Sequence, residues 1–375
     1  MLNNKRILLT AGGTGGHVNP ALAVAGEIRK QYPDAQILFV GTSDRIETKI
    51  VPAAGFELCT IEMSGFQRKP SFENLKKNIK TVIRVLKSSS AVNKILDDFK
   101  PDIVVGFGGY VSGPVVRCAA KRGIKTAIHE QNAYPGVTNK ALAKIVDKVM
   151  LTVKDAEKNM EPKNPITVTG LPVRGEIIEA DRDESRKKMG LDDRPLILSM
   201  GGSLGANAIN MAMLDLITKL GDSKKCHFLH ATGQYGLWFG GRLEENGIDY
   251  KNNSDIEIRE YINDMDVCMS AADLIICRSG ASSLSEIQAT GKASILIPSP
   301  NVAENHQYHN AMALVNEGAA LMIEEKDLKG EKLFETVNAL LENPNKLKEI
   351  GSNAKRMAIL DSTQRILDVI LSLVK

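Results

Sequence analysis

Four glycines and a threonine fill positions 12–16 of "LTAGGTGGHVNPALA", and His17 follows them directly. The run sits between a short apolar stretch and a helical pattern. A glycine-rich strand-to-helix turn offers unpaired backbone N–H groups and the positive end of a helix dipole to an anion. Diphosphate is the natural guest, and a tight turn that packs helix on strand is the plain alternative. A second loop of the same kind, "LILSMGGSLGANAINMAM", begins at Leu196. The matched pair favours binding over mere packing, and His17 adds a group that titrates near neutral pH. The spacing excludes two common guests. A dinucleotide fingerprint would need glycine at Val18 and an acid at the end of the second strand, where "VGTSD" stands. A Walker lysine is also missing, because Gly291-Lys292 lacks both the upstream glycine and the following hydroxyl.

Other polar residues fall where strands should end. "GFGGYVSGP" (Gly106 to Pro114) follows "DIVV", and "HEQNAYPG" (His129 to Gly136) follows "TAI". Parallel α/β sheets bind ligands at the carboxyl ends of their strands, so His17, Tyr110, Ser112, His129, Glu130 and Asn132 are expected on one rim. Glu130 beside His129 is equally a structural hydrogen-bond pair. In "CRSGASSLSEIQATG", Glu286 fits either a carboxylate near a helix start or a partner for the vicinal diol of a ribose. "PSPNVAENHQYHNA" adds Asn305, His306 and Gln307 in a loop that faces ligand or solvent. "DRD" (Asp181 to Asp183) and "DMD" (Asp264 to Asp266) lie in charged helix or turn contexts, not behind buried strands, so no metal site is expected.

The elements that must position these residues repeat. Short apolar runs rich in β-branched residues ("RILLT", "QILFVG", "DIVVGFG", "TAIHE", "KVMLT", "ITVTG") alternate with helical patterns. A second series runs "PLILSMGG", "HFLHATG", "IEIREYI", "LIICRSG" and "SILIPSP". Strands apolar on both faces and separated by helices imply parallel sheets covered on both sides. Two Rossmann-like α/β domains are expected, over residues 1–163 and 164–350. A C-terminal amphipathic helix over 351–375 should pack back on the first. The 375 residues are too many for one ordinary core. A net charge of +3 gives no footing for a nucleic-acid partner, and five cysteines without CxxC spacing read as reduced thiols. "MLNNKRILLT" lacks the features of a secretory leader, and no apolar run has the length of a membrane span, so membrane contact is expected from one side.

One stretch departs from the neutral background. "GFQRKPSFENLKKNIKTVIRVLKSSSAVNK" (Gly65 to Lys94) holds eight basic residues against a single acid, Glu73. Leu75, Ile79, Val82, Ile83 and Leu86 recur at helical spacing, with Phe66 and Phe72 nearby. From Ser71 onward it reads as a basic amphipathic helix, suited to packing on its own domain or to docking on anionic lipid. The segment Arg68 to Lys94 is the expected membrane contact.

Seven motifs in this order, "GGTGGHVNPALA", "GFGGYVSGP", "HEQNAYPGVTNK", "GLPVR", "GGSLGANAIN", "CRSGASSLSEI" and "NHQYHNA", span nearly the whole chain. They resemble the MurG family of bacterial N-acetylglucosaminyltransferases. The resemblance implies a GT-B fold, two Rossmann-like domains facing across a deep cleft. It implies transfer of GlcNAc from UDP-GlcNAc to the muramyl sugar of lipid I, giving lipid II, at the cytoplasmic face of the membrane and without a cofactor. By the same resemblance Thr14, Gly15 and Gly16 border the donor sugar and diphosphate, and His17 lies near the reacting hydroxyl. Asn132 and Gln307 contact the sugar, and Arg174 and Ser203 bind the donor. Ile262 reads uracil through its backbone. Ala281, Ser282 and Ser283 turn at the diphosphate, and Glu286 takes the ribose. His17 is the expected general base and Glu130 the second choice. The usual Asn of "GNPVR" is Leu171 here, the usual Gln of "GGSQGA" is Leu204, and Ser283 stands where Thr is common. Two rival classes remain: a related GT-B enzyme, either a UDP-GlcNAc 2-epimerase, which needs no lipid acceptor, or a transferase with another acceptor; and a non-catalytic nucleotide-sugar or lipid binder, which needs no titratable group in its site.

Overall fold

A computed structural model describes residues 2–62 and 89–374. The chain divides into two compact units, Met1–Pro172 with Asp361–Lys375, and Val173–Leu360. Each is built on a wholly parallel sheet.

In the first unit β1 (Arg6–Thr10), β2 (Gln36–Thr42), β3 (Glu57–Ile61), β4 (Ile103–Gly106), β5 (Lys125–Glu130), β6 (Lys148–Leu151) and β7 (Ile166–Val168) lie in the order 3-2-1-4-5-6-7. Successive side chains on a strand point to opposite faces, and here both faces are covered. Ile7, Leu9, Phe39, Ile103 and Val105 pack in one core with Val24 and Ile28 of α1 (Gly15–Gln31). Leu8, Leu38, Val40 and Val104 pack in another with Val115 and Val116 of α4 (Ser112–Lys121). A third helix, α3, covers residues 89–99 and adds Val92 and Leu96 to that second core. This two-sided burial is why the strands read as unbroken apolar runs.

The second unit repeats the plan. Here β8 (Leu196–Met200), β9 (His227–Ala231), β10 (Ile256–Arg259), β11 (Leu274–Cys277), β12 (Ala293–Leu296) and β13 (Leu321–Met322) run 10-9-8-11-12-13. In both sheets the order reverses beside the first strand. That crevice, next to β1 and β4 in one unit and β8 and β11 in the other, is where open parallel sheets take ligands.

Two boundaries differ from the sequence expectation. Residues 164–172 belong to the first unit, because β7 hydrogen-bonds beside β6. The C-terminal pattern is two helices. Helix α14 (Pro344–Met357) buries Ile350 and Ala354 in the second unit, and α15 (Ser362–Leu373) buries Ile366, Leu367 and Ile370 against the core of α1 in the first. The chain is extended at Ala358, where α14 ends. The basic segment Arg68 to Lys94 lies outside the described residues as far as Ser88; only its last six positions, at the start of α3, are within them.

Candidate active site

The first glycine loop joins β1 to α1. Gly13 sits at φ +91, and a Cβ there would meet nothing, so this edge of the loop is open. Thr14 caps α1 with extended backbone but no side-chain bond, and the first turn of the helix holds no acid. Gly15 and Gly16 therefore begin a helix whose leading N–H groups receive no capping side chain. The loop is held from beneath by Glu47, the first residue of α2 (Glu47–Ala53), which is fully buried. Its carboxylate accepts from Gly13 N–H at 3.1 Å, Thr42 N–H at 3.0 Å and Thr42 Oγ1 at 2.6 Å. His17 turns back over the loop, with Nδ1 3.1 Å from the Gly12 carbonyl and 3.3 Å from Thr14 Oγ1.

The β4–α4 loop packs on the first. Gly109, at φ +81, lies so close to Gly12 that any Cβ would collide with its backbone. Gly108, at φ +102, backs onto the His17 ring, where a Cβ would stand 2.7 Å from Cδ2. Only glycine fits either place.

Of the six polar residues expected on this rim, Tyr110 is exposed and His17 and Asn132 are partly so. Ser112 is buried, bonded to the Thr10 and Gly108 carbonyls. His129 is buried too. Its Nε2 donates to the Gly170 carbonyl at 2.8 Å, and Nδ1 accepts from Gln131 at 3.2 Å. Burial lowers its pKa to about 4, so it is neutral at physiological pH. Glu130 is 2% exposed, and its carboxylate receives donors from Asn132 N–H, Asn132 Nδ2, Gly136 N–H and Asn139 Nδ2 between 2.8 and 3.2 Å. These bonds hold the loop after β5, and they take the place of the expected pairing with His129.

In the second unit, Ser203 and Leu204 are exposed on the loop between β8 and α8 (Asn207–Leu220). Gly202, at φ +88, leaves that loop open to solvent. Helix α11 (Ala281–Thr290) starts at Ala281, Ser282 and Ser283 behind Gly280, and no side chain caps it. Helices α8 and α11, like α1, begin without caps and without acids in the first turn. Elsewhere, α7 (Arg182–Met189) takes Asp181 and α14 takes Asn343 as side-chain caps. Helix α15, with no glycine loop before it, also begins without a cap or a first-turn acid, so the open starts of α1, α8 and α11 suit an anion without singling it out.

Glu286 lies five residues into α11. Arg174, leading into α6 (Gly175–Glu179), donates to its Oε1 from Nε at 3.2 Å and Nη2 at 3.0 Å. Oε2 has no partner among the described residues. Burial pushes the Glu286 pKa up, and Arg174 pulls against that. Arg278, at the end of β11, ties the Ile297 and Pro298 carbonyls and pairs with Glu325. It fixes the loop that leads to Gln307. Gln307 Oε1 accepts from Ser299 N–H at 2.9 Å, which leaves its amide N–H groups without a partner among the described residues. Glu304 and Asn305, just before α12 (His306–Val315), both have positive φ, a costly backbone for non-glycine residues. The Ile262 side chain is buried, so that residue can offer a ligand only its backbone.

Sequence reasoning missed Glu47, Gln131 and Asn139. Only Glu47 carried a signal: an acid opening a helix just behind the second strand.

Residues 7–151 match the N-terminal domain of glycosyltransferase family 28, and residues 196–366 match its C-terminal domain. A curated relative from Acetivibrio thermocellus, a UDP-N-acetylglucosamine–N-acetylmuramyl-(pentapeptide) pyrophosphoryl-undecaprenol N-acetylglucosamine transferase, is 42% identical over 99% of this chain and 98% of its own. The crystal structure of Acinetobacter baumannii MurG superposes with a TM-score of 0.80 at 30% identity, covering 98% and 99% of the two chains. The UDP-GlcNAc 2-epimerase of Neisseria meningitidis shares the fold at a TM-score of 0.67 and 13% identity, over 98% of this chain and all of that one. Fold alone therefore spans both chemistries, whereas sequence identity follows the transferases across almost the entire chain. The chain is GT-B in architecture and belongs to glycosyltransferase family 28.

Proposed function

We propose that the protein transfers GlcNAc from UDP-GlcNAc to the C4 hydroxyl of the muramyl sugar of lipid I, forming lipid II with inversion at the anomeric carbon. The observation that carries this is full-length identity of 42% to a transferase of that activity. The site chemistry agrees with it. The second unit holds the donor: the uncapped start of α11, at Ala281, Ser282 and Ser283, with Ser203 on the neighbouring loop, receives the diphosphate. Glu286, oriented by Arg174, takes the ribose, Ile262 offers backbone to the uracil, and Gln307 takes the sugar. Helix N-termini stabilise the departing diphosphate in place of a metal.

The first unit serves the acceptor. His17 takes the hydroxyl proton as that oxygen attacks, Thr14, Gly15 and Gly16 border the reacting sugar, and Asn132 contacts it. Glu130 is the weaker base because its carboxylate already accepts four hydrogen bonds. No described helix is long and apolar enough to cross a membrane. The protein meets the lipid-linked acceptor peripherally, at the cytoplasmic face, through the basic segment Arg68 to Lys94.

The test is UDP release from UDP-GlcNAc with and without a lipid I analogue, in excess EDTA. Release should depend strictly on the acceptor and survive the chelator. Conversion of the donor to its 2-epimer without acceptor would refute the transferase reading. Activity lost in EDTA and restored by Mg²⁺ or Mn²⁺ would refute the metal-free diphosphate site.

A further inference from the structure

The peptide group between Gly12 and Gly13 is engaged at both ends. Its N–H, on Gly13, donates to Glu47 Oε2 at 3.1 Å. Its carbonyl, on Gly12, lies 3.1 Å from His17 Nδ1. A carbonyl has no proton to give, so Nδ1 carries the proton and Nε2 the lone pair. The Glu47 partners are all donors, the set an ionised carboxylate takes. Space for that buried group is made by two glycines. A Cβ on Gly12 would stand 2.7 Å from Glu47 Oε1, and one on Gly41 would stand 2.7 Å from Glu47 Cγ.

We propose that Glu47 is a positioning residue for His17, acting through the Gly12–Gly13 peptide to fix the imidazole tautomer and raise the basicity of Nε2. A carboxylate drawing on the amide N–H pushes electron density onto the carbonyl of the same amide. Hydrogen bonds in such a chain strengthen one another by roughly 10–30% each. The polarised Gly12 carbonyl then holds the Nδ1 proton more firmly and favours the imidazolium formed when Nε2 takes a proton. No proton passes along the chain: Nδ1 keeps its own, and Glu47 stays charged. Among the described residues, the elements packed against His17 bring few other titratable groups. The β4–α4 loop carries Tyr110. The end of β5 carries His129, neutral and joined to Gln131, and Glu130, bonded within its own loop.

The inference rests on His17 being the base, and the test separates the two claims. The full chain, with selectively labelled histidine, is titrated by NMR as wild type, Glu47→Gln and Thr42→Val. Glu47→Gln keeps shape and removes charge, and should lower the His17 midpoint by roughly 0.3–1 pH unit. The acid limb of the kcat/KM profile should move down with it, and kcat should fall about 10–100-fold, by analogy with the partners that orient metal-bound imidazoles. Thr42→Val loosens the same carboxylate without discharging it, and should leave the midpoint in place. An unchanged midpoint in folded Glu47→Gln overturns the proposal, as does an equal drop in Thr42→Val. Should Glu47→Gln not fold, the chemical shift of the Glu47 carboxylate carbon in the wild type must still report the His17 transition, and its failure to do so overturns the proposal. A lowered midpoint together with a fully active His17→Ala variant leaves the Glu47 linkage standing and removes His17 as the base.

Discussion

Glu286 was legible as a candidate because an acid in the second turn of a helix behind a glycine loop has few partners of its own. What the sequence left open was cap or ligand, and the geometry removes the cap. Glu286 caps nothing: Arg174, from a segment 112 positions earlier, holds one carboxylate oxygen, and the other has no partner among the described residues. Glu286→Ala should therefore weaken UDP and UDP-GlcNAc alike. Each charge-assisted hydrogen bond lost costs about 1.5–3 kcal/mol, roughly 10–150-fold in affinity, readable by calorimetry; unchanged UDP affinity in a folded variant rejects the assignment. The pH dependence has a definite sign. Ribose hydroxyls bind the charged carboxylate, and burial raises the pKa of that group, so UDP affinity should fall with pH through a midpoint above that of an ordinary glutamate. Glu47 carried only its place at the start of a helix behind the second strand. Its partners on Thr42 are local, but the Gly13 N–H that ties it to the glycine loop lies 34 positions upstream, and nothing in the sequence marks that pairing.

Among the elements, strands buried on both faces announced themselves; of the four edge strands, β7 and β10 were read and β3 and β13 were not. β3 stands at the sheet edge with a mostly unburied pattern, and β13 is two residues long; neither offers the apolar run that marks a strand. The C-terminal helices read as one because a single apolar periodicity runs through both, although they serve separate cores. The glycine turns were visible as composition, but which glycines are obligatory depends on a second loop. Gly109 needs both its positive φ and the space against Gly12, whereas Gly123, at φ +71, faces nothing. Gly123→Ala should cost about 1 kcal/mol. Gly109→Ala should cost about 2–4 kcal/mol and depress turnover by displacing the His17 loop. Equal losses for the two in denaturant titration would mean that the close packing of the loops is unimportant.

At the scale of the whole molecule, the repeated sheet order and the matched family domains account for the two-unit architecture that the recurring strand-glycine-helix pattern implied. The proposed membrane attachment rests on sequence alone. Each Lys or Arg near anionic lipid contributes about 1 kcal/mol, so the eight basic residues between Gly65 and Lys94 suffice for reversible, salt-sensitive docking. Reversing Lys76, Lys77, Lys80 and Arg84 to Glu should abolish co-sedimentation with anionic vesicles while UDP binding persists; undiminished co-sedimentation would place the membrane contact elsewhere. The central claim is a division of labour, in which the second unit holds UDP and the first supplies the base. Steady-state kinetics of His17→Ala with UDP-GlcNAc and a lipid I analogue, paired with UDP calorimetry, tests it most directly. The account predicts a fall in kcat of about 10²–10⁴-fold with UDP affinity nearly unchanged; a loss confined to the acceptor KM, with kcat intact, would contradict it.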